Sequence, residues 1–178
     1  VKQDVWEEKQ KLLASDGAQL DLFGHSVAIS GNYAIIGAYG DDDDATNSGS
    51  AYIFQRDSSG NWSETQKLTA SDGASSDYFG YSVAISGNYA IVGAAWADNN
   101  VYTTGSVYIF ERDSNGNWGN NGNETQKLLP SDGALNHKFG VSVDISGNYA
   151  IVGAHHDDDN GAASGSAYIF QRDSNGNW

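Results

Sequence analysis

The chain has 178 residues and a formal net charge of −14, with 22 glycines, one proline, no cysteine and no methionine. This charge argues against nucleic acid as a partner, because the phosphates would be repelled. The absence of cysteine excludes disulfides and thiol chemistry, and there is no apolar run of about 18 residues that would span a membrane as a helix. Plentiful glycine with many Tyr, Val and Ile residues between turn signals predicts an all-β protein.

One sequence pattern occurs three times along the chain. Phe23 and Phe79 are 56 positions apart, and Phe79 and Phe139 are 60 positions apart, because residues 119–122 lengthen one turn. A long and nearly fixed period predicts a supersecondary unit that stacks on copies of itself, since one copy cannot bury its own apolar face.

Each repeat contains four extended segments, which are clearest in the second repeat. Residues 82–86 alternate small and branched side chains, a glycine-asparagine turn follows, and residues 89–94 are almost entirely apolar. Residues 106–112 form a third apolar segment, and a polar fourth strand is predicted from Trp118 to Leu128. Two-sided apolar inner strands with a polar outer edge predict four-stranded antiparallel blades of the β-propeller type.

The pattern divides a single repeat domain into three blades and one additional strand. Trp6 aligns with Trp62, so residues 6–13 are predicted to be a spare outer strand without inner strands of its own. The predicted blades are residues 14–69 for blade 1, 70–129 for blade 2 and 130–178 for blade 3, which lacks its outer strand.

The spare outer strand and the incomplete blade 3 complement each other. Three blades are too few to close a propeller, which has about four to eight. The missing strand comes either from another copy, by head-to-tail strand addition into a ring or filament, or from further blades of a longer protein of which the chain is an excerpt. Two copies would give a six-bladed ring. The absence of methionine, even at position 1, is typical of a processed product or a piece of something longer.

Three motifs recur in the same order in every repeat. Phe-Gly is found at Phe23-Gly24, Phe79-Gly80 and Phe139-Gly140. Gly-Ala is found at Gly37-Ala38, Gly93-Ala94 and Gly153-Ala154, and Gly-Ser-x-Tyr-Ile-Phe begins at Gly49, Gly105 and Gly165. Together they resemble the FG-GAP repeat family, the β-propeller repeats of integrin α-subunit heads and many secreted or surface proteins. The resemblance covers essentially the whole chain and implies adhesion or ligand binding rather than catalysis.

One feature of that family is missing. Integrin-type repeats carry a calcium loop of the Asp-x-Asn-x-Asp-Gly kind between the first two strands of a blade. Here the equivalent positions hold only Ser-Gly-Asn, at residues 30–32, 86–88 and 146–148. These turns are too short and too poor in carboxylates to enclose calcium, so the family's calcium site is not expected at this place.

The loops between the second and third strands contain the most metal-like clusters. The first repeat has Asp41, Asp42, Asp43 and Asp44, and the third has Asp157, Asp158 and Asp159. Calcium takes about six to eight oxygen ligands, so both loops are candidate calcium sites, the first before the second. Consecutive aspartates point in alternate directions, however, and a solvated acidic turn is the alternative interpretation.

Another set of aspartates precedes the Phe-Gly motifs in Ser-Asp-Gly sequences, at Asp16, Asp72 and Asp132. Asp-Gly is common in tight turns, because aspartate caps the turn and glycine accepts positive φ angles. These aspartates are therefore interpreted as turn residues.

Most aromatic residues recur in every repeat, which predicts that they belong to the core. Trp96 occurs in one repeat only, in a variable loop that also contains Tyr102, and Tyr39 begins the equivalent loop of the first repeat. Aromatic rings in such loops stack on sugars or anchor protein partners. Trp96, Tyr102 and Tyr39 are therefore candidate ligand-binding residues, the alternative for Trp96 being that it covers its own blade.

Two sequons occur in turns before the fourth strands, Asn61-Trp62-Ser63 and Asn123-Glu124-Thr125. They are candidate N-glycosylation sites of a secreted protein, at Asn61 and Asn123. Short sequons also arise by chance in chains rich in asparagine and serine.

The sequence supports two function hypotheses. The first is a non-enzymatic extracellular or cell-surface module that binds a protein or glycan through loops at residues 39–48, 95–104 and 155–164. The second is a structural subunit of a filament or surface layer that assembles head to tail. Because the loops vary and the strands do not, binding is favoured. No nucleophile elbow and no Ser-His-Asp order in a suitable context is present, so no enzyme is predicted.

Overall fold

The computed structural model of the protein describes residues 6–98, 103–120 and 122–178. Within these ranges the fold contains eleven β-strands and no α-helix, in three antiparallel sheets of four, four and three strands. The described residues include no helix with the length and apolar character needed to cross a membrane. The predicted all-β class and the three repeated blades are confirmed.

Each sheet is a meander in which consecutive strands are neighbours. Blade 1 contains β1 (Ser26–Ser30), β2 (Tyr33–Ala38), β3 (Ser50–Arg56) and β4 (Trp62–Leu68). Blade 2 contains β5 (Ser82–Ser86), β6 (Tyr89–Ala94), β7 (Ser106–Glu111) and β8 (Gln126–Leu128). Blade 3 contains β9 (Ser142–Ser146), β10 (Tyr149–Ala154) and β11 (Ser166–Gln171).

A glycine makes the tight turn between the first two strands of each blade. In blade 2, Ser86 pairs with Tyr89, so only Gly87 and Asn88 connect β5 to β6. Gly87 has a φ angle of 59°, which glycine adopts without steric cost. A turn of this length fixes the hairpin register and thereby sets which face of the sheet each side chain joins.

The fourth strand of blade 2 is shorter than the sequence predicts. The prediction extends from Trp118 to Leu128, whereas β8 contains only the last 3 of these residues. Trp118 forms an isolated bridge with Arg112, and Asn120 bridges to Asn123. The bridge between Asn120 and Asn123 therefore interrupts the outer strand of blade 2, whereas β4 of blade 1, without the insertion, has 7 residues.

Apolar side chains between neighbouring blades form the core. One cluster joins Ile35 and Ile53 of blade 1 to Val83 and Ile85 of blade 2, with the fully buried Trp118 at its outer side. A second cluster joins blade 2 to blade 3 in the same manner. Blade 2 is therefore covered on both faces, which explains why its inner strands are apolar on both sides.

The Phe-Gly and Gly-Ala motifs meet where adjacent blades touch. The amide of Gly80 donates a hydrogen bond of 3.2 Å to the carbonyl of Gly93 within blade 2. The carbonyl oxygen of Gly80 lies against Gly37 of blade 1, where a Cβ atom would overlap it. At the next boundary Gly140 stands against Gly93 in the same way. Glycine is required in both motifs because two backbones come into contact.

Each outer blade has one sheet face that the described residues leave partly open. On blade 1, Val27 and Ile29 are 65% and 67% exposed, whereas the equivalent residues of blade 2 are buried. On blade 3, Ile151 and Ile169 are 42% and 63% exposed, and their equivalents in blade 2 are again buried. The described fold is therefore an open stack of three blades with an apolar face at each end.

Residues 6–13, the predicted spare outer strand, pair with no strand among the described residues. They lie beside β4, because the Gln10 side chain donates a 2.7 Å hydrogen bond to the Trp62 carbonyl and accepts one of 2.9 Å from its amide. The same two hydrogen bonds join Gln66 to Trp118 and Gln126 to Trp178. The segment thus has the position of an outer strand of a preceding blade, and its pairing with another chain stays a prediction.

We expect Gly93→Ala to lower the free energy of unfolding by roughly 3 kcal/mol, because the added Cβ would overlap the Gly140 carbonyl of the next blade. Gly153→Ala is the matched control, since the nearest atoms to a Cβ at this equivalent position of blade 3 all belong to Ser142, beginning with its Oγ at 3.3 Å. Urea unfolding of dilute protein measures both losses. Equal losses would show that contact between blades is not what requires glycine.

Candidate functional site

Two sets of loops lie at the same edge of the sheets. The antiparallel order places the end of β2, the start of β3 and the start of β1 at one edge of blade 1, and the other blades follow the same order. The loops after the second strands therefore lie beside the segments that carry Phe-Gly. Except for the glycosylation asparagines, every described site residue predicted from the sequence lies at this edge.

Four aromatic rings line an open groove of about 320 Å³ at the loop edge, those of Tyr39, Tyr78, Tyr81 and Trp96. Tyr39 follows β2 of blade 1, and the other three belong to blade 2. The ring centroids of Tyr81 and Trp96 are 4.7 Å apart, and those of Tyr39 and Tyr81 are 5.3 Å apart. All four side chains are half-buried, so each leaves part of its ring accessible. We call this the aromatic groove.

Two further residues extend the aromatic groove. The ring of His25 lies 4.6 Å from that of Tyr39 and 4.8 Å from that of Tyr81. At the other end, the Lys138 Nζ lies 4.6 Å from the centre of the Trp96 ring, in a cation–π contact. Burial lowers the pKa of Lys138 from its ordinary value. The groove therefore combines aromatic faces with a partly desolvated positive charge.

The aromatic groove breaks the repetition of the chain. At the boundary between blades 2 and 3, the residues equivalent to Tyr39, Tyr81 and Trp96 are Ala95, Val141 and His156. Since that boundary packs with alanine, valine and histidine at these positions, the tyrosine and tryptophan rings at the first boundary are not required for blade stacking. The structure thus brings together two of the predicted ligand-binding residues and adds Tyr78 and Tyr81. Tyr102, the third predicted residue, lies outside the described residues.

In blade 1, three carboxylates surround one lysine at the same edge. The Lys67 Nζ lies 2.8 Å from the Asp16 Oδ2 and 3.0 Å from the Asp41 Oδ2, and it also contacts Asp43. Asp41 is buried and accepts a 2.6 Å hydrogen bond from the Tyr52 hydroxyl. Burial opposes the charge of Lys67, but the hydrogen-bonded carboxylates outweigh burial and raise its pKa above the ordinary value. The protein itself therefore supplies the central cation.

Blade 3 repeats these carboxylates, and no lysine of the described residues forms an ion pair with them. Carboxylate oxygens of Asp132, Asp157 and Asp159 lie within 4.8 Å of one another, and we call these residues the blade 3 acid cluster. Asp157 is fully buried, and a 2.6 Å hydrogen bond from the Tyr168 hydroxyl lowers its pKa. The Nδ1 of the buried His137 lies 3.4 Å from the Asp157 Oδ2 and makes no hydrogen bond with the described residues. This cluster is the candidate cation site.

Blade 2 has a reduced version of the same arrangement. Ala97 replaces the buried aspartate, and the Lys127 Nζ lies 2.6 Å from the Asp72 Oδ2. The Tyr108 hydroxyl donates a 2.9 Å hydrogen bond to Asp72, as the equivalent tyrosines of the other blades do to their own aspartates. In both blades that have an outer strand, a lysine of that strand therefore contacts an aspartate.

The two predicted calcium loops differ in what their aspartates already contact. In the first loop, Asp41 and Asp43 contact the lysine of blade 1, Asp42 accepts a hydrogen bond from the Asn47 amide, and Asp44 is exposed. A divalent cation at this place would have to displace the lysine. In the third-repeat loop, Asp158 accepts a hydrogen bond from the Ala163 amide, as Asp42 does in the first. The other two aspartates of that loop belong to the blade 3 acid cluster.

The Ser-Asp-Gly aspartates have a role beyond the turn that the sequence predicts. Asp16 and Asp132 accept hydrogen bonds of 2.9 Å and 2.8 Å from tyrosines of the third strands. Interpreting them as turn residues alone is therefore incomplete. The sequence does not show this role, because a register shift between Ile53 and Phe54 is what places Tyr52 opposite Lys67 in the β3–β4 hairpin.

The two predicted glycosylation asparagines lie at the opposite edge from the aromatic groove. Asn61 and Asn123 are exposed and come shortly before β4 and β8. The Asn61 side-chain amide donates a 3.3 Å hydrogen bond to Asp57 within its turn. Modification at either asparagine stays a prediction.

Comparison with known proteins agrees with the motifs and the blades. The family model of the FG-GAP repeat matches residues 6–54, 62–110 and 123–170. The sequence has no significant match among curated proteins. The three matched segments make up most of the chain, and each contains a Phe-Gly motif followed by the Gly-Ala motif at the end of the second strand. The chain therefore belongs to the FG-GAP repeat family.

Proposed function

We propose that the protein is a non-enzymatic module that binds a protein or glycan ligand outside the cell or at the cell surface. FG-GAP repeats are typical of extracellular proteins and generally mediate protein interactions, which supports this proposal. The variable loops at one edge would carry the specificity, and the blades would be the scaffold. N-glycans at Asn61 and Asn123 would leave that edge free, because both residues lie at the opposite edge.

The aromatic groove is the observation that carries this proposal. It presents four half-buried rings that blade stacking does not require, and its volume of about 320 Å³ suits one sugar ring or one large side chain. The faces of Trp96 and Tyr81 offer apolar area for stacking, and the tyrosine hydroxyls offer hydrogen bonds at the rim. The net charge of −14 favours neutral or cationic ligands over anionic ones.

The double substitution Tyr39→Ala with Trp96→Ala should weaken binding to the ligand by about 30-fold or more, because it removes aromatic contacts from both sides of the groove. Glycan and matrix-protein arrays identify the ligand, and titration of that ligand measures the loss. Trp6→Ala is the control, since Trp6 is 98% exposed and lies outside the groove. A double variant that binds as tightly as wild type would contradict the proposal.

We propose further that calcium, where the protein binds it, uses the blade 3 acid cluster and not the first loop. Three converging carboxylates suit calcium, whose remaining ligands would be backbone carbonyls or water. In the first loop the equivalent place is held by Lys67. A bound ion would offset repulsion among the carboxylates, and it would therefore stabilise the folded chain.

Millimolar calcium should accordingly raise the melting temperature of the wild-type protein, and Asp159→Asn should remove most of this shift. Asp43→Asn is the matched control at the equivalent position of blade 1 and should leave the shift unchanged. Thermal unfolding with calcium and with a chelator measures both effects. If the calcium-induced shift persists in Asp159→Asn, calcium does not bind at this site. If calcium does not raise the melting temperature of the wild type, the proposal is also wrong.

Structural assembly is a second candidate function, and the two exposed apolar faces favour it. Val27 and Ile29 are exposed on blade 1, and Ile151 and Ile169 are exposed on blade 3. Inside the chain, equivalent residues are buried against each other at the boundaries between blades. Head-to-tail stacking of copies would bury both faces and give a closed ring or an open filament.

A further inference from the structure

In both blades that have an outer strand, a lysine of that strand binds an aspartate of the same blade. Lys67 lies opposite Tyr52 in the β3–β4 pairing, and Lys127 lies opposite Tyr108 in the β7–β8 pairing. Each lysine therefore reaches the aspartate that accepts a hydrogen bond from the tyrosine facing it. The register of the outer strand determines this contact.

The chain also contains an acid cluster and a lysine that are equivalent to the members of this contact but do not contact each other. The blade 3 acid cluster faces no lysine among the described residues, and the tyrosine of this blade, Tyr168, lies on β11, which is the edge strand of its sheet because the described residues include no fourth strand. Lys11, in the sequence Gln10-Lys11-Leu12, is the equivalent of Lys67 in Gln66-Lys67-Leu68. It is exposed and forms no ion pair with the described residues.

The two halves lie at opposite ends of the same chain, where stacking of copies would bring them together. Residues 6–13 already have the position of an outer strand that precedes blade 1, held there by Gln10. A copy whose blade 3 stacked against blade 1 would place its β11 next to this segment. In the register of the other blades, Lys11 would then lie opposite Tyr168 of that copy.

Arginine–tyrosine stacking points to the same pairing. Arg112 of blade 2 stacks on Tyr33 of blade 1 at 4.5 Å, and Arg172 of blade 3 stacks on Tyr89 of blade 2 at 4.7 Å. The remaining arginine of this series is Arg56 at one end of the stack, and the remaining tyrosine is the exposed Tyr149 at the other end. The ends therefore match in polar as well as apolar residues.

The backbones at the two ends of the stack are also complementary in shape. A Cβ at Gly37 or Gly93 would overlap a carbonyl of the next blade, whereas Gly153 has no such neighbour among the described residues. Stacking of copies would bring the Gly24 carbonyl of one copy against Gly153 of the other. Two copies would make six blades, within the range of about four to eight in closed propellers.

We infer that the Lys11 ammonium of a second copy binds the blade 3 acid cluster and fixes the register of head-to-tail assembly. This inference rests on the assembly proposed above and names the contact that completes blade 3. The buried Nδ1 of His137 lies 3.4 Å from the Asp157 Oδ2 and makes no hydrogen bond with the described residues, so this part of the cluster has room for another polar partner. Calcium and Lys11 compete for the same carboxylate oxygens, so calcium weakens the assembly.

Sedimentation of the full chain over a concentration series tests the inference, with the wild type compared with three variants. Lys11→Gln should weaken association by about tenfold, because it removes a charged partner from a partly buried cluster. Lys9→Gln is the matched control, since Lys9 lies in the same segment and, among the described residues, its one ion pair is with Glu7. Gly153→Ala should abolish association of folded chains by a steric route that leaves the charges unchanged.

The variants separate failure of the lysine contact from failure of the assembly. If Gly153→Ala blocks association and Lys11→Gln associates as tightly as wild type, the lysine contact is wrong and the assembly stands. If the wild type stays a monomer at high concentration, both the assembly and the lysine contact are wrong. Association that strengthens with calcium would also overturn the inference, because the metal would then hold the carboxylates.

Discussion

Contact between the backbones of adjacent blades is the constraint on which the rest of the structure depends. Because Gly37 lies against Gly80, the flanking apolar side chains can interdigitate without a gap between the sheets. The same contact places the loops. Tyr39 follows Gly37 by two residues and Tyr81 is next to Gly80, so their rings come within 5.3 Å of each other at the edge. The aromatic groove is therefore a consequence of glycine packing in the core.

Polar contacts have a different role from the glycines and apolar residues. Burial of apolar area supplies most of the stabilisation between blades, whereas ion pairs near the surface contribute little. Charged pairs contribute more to specificity, since a strand shifted by one residue would turn its lysine away from the aspartates. On this view Lys67 fixes the register of β4 in blade 1, and Lys11 would fix that of an incoming strand.

The sequence predicts the blades, the inner strands and the family, because spacing and alternation follow directly from strand geometry. It does not predict the shortened β8, since the competition between strand and hairpin within the insertion depends on tertiary contacts. It identifies Tyr39 and Trp96 but not the groove they share, because residues 57 positions apart meet only through stacking of two blades. The sequence shows the acidic loops as clusters of aspartates. It does not show which loop already holds a lysine, because Lys67 lies on another strand.

Amide hydrogen exchange over a range of protein concentrations tests most directly whether blade contact stabilises the strands. In dilute protein, β6 and β7 of the doubly covered blade 2 should exchange at least about tenfold more slowly than β1 and β11. As copies associate, β1 and β11 should gain protection while β6 and β7 change little. Equal protection of all these strands in the dilute monomer would contradict the account, because it would show that covering the second face of a blade adds no stability to its strands.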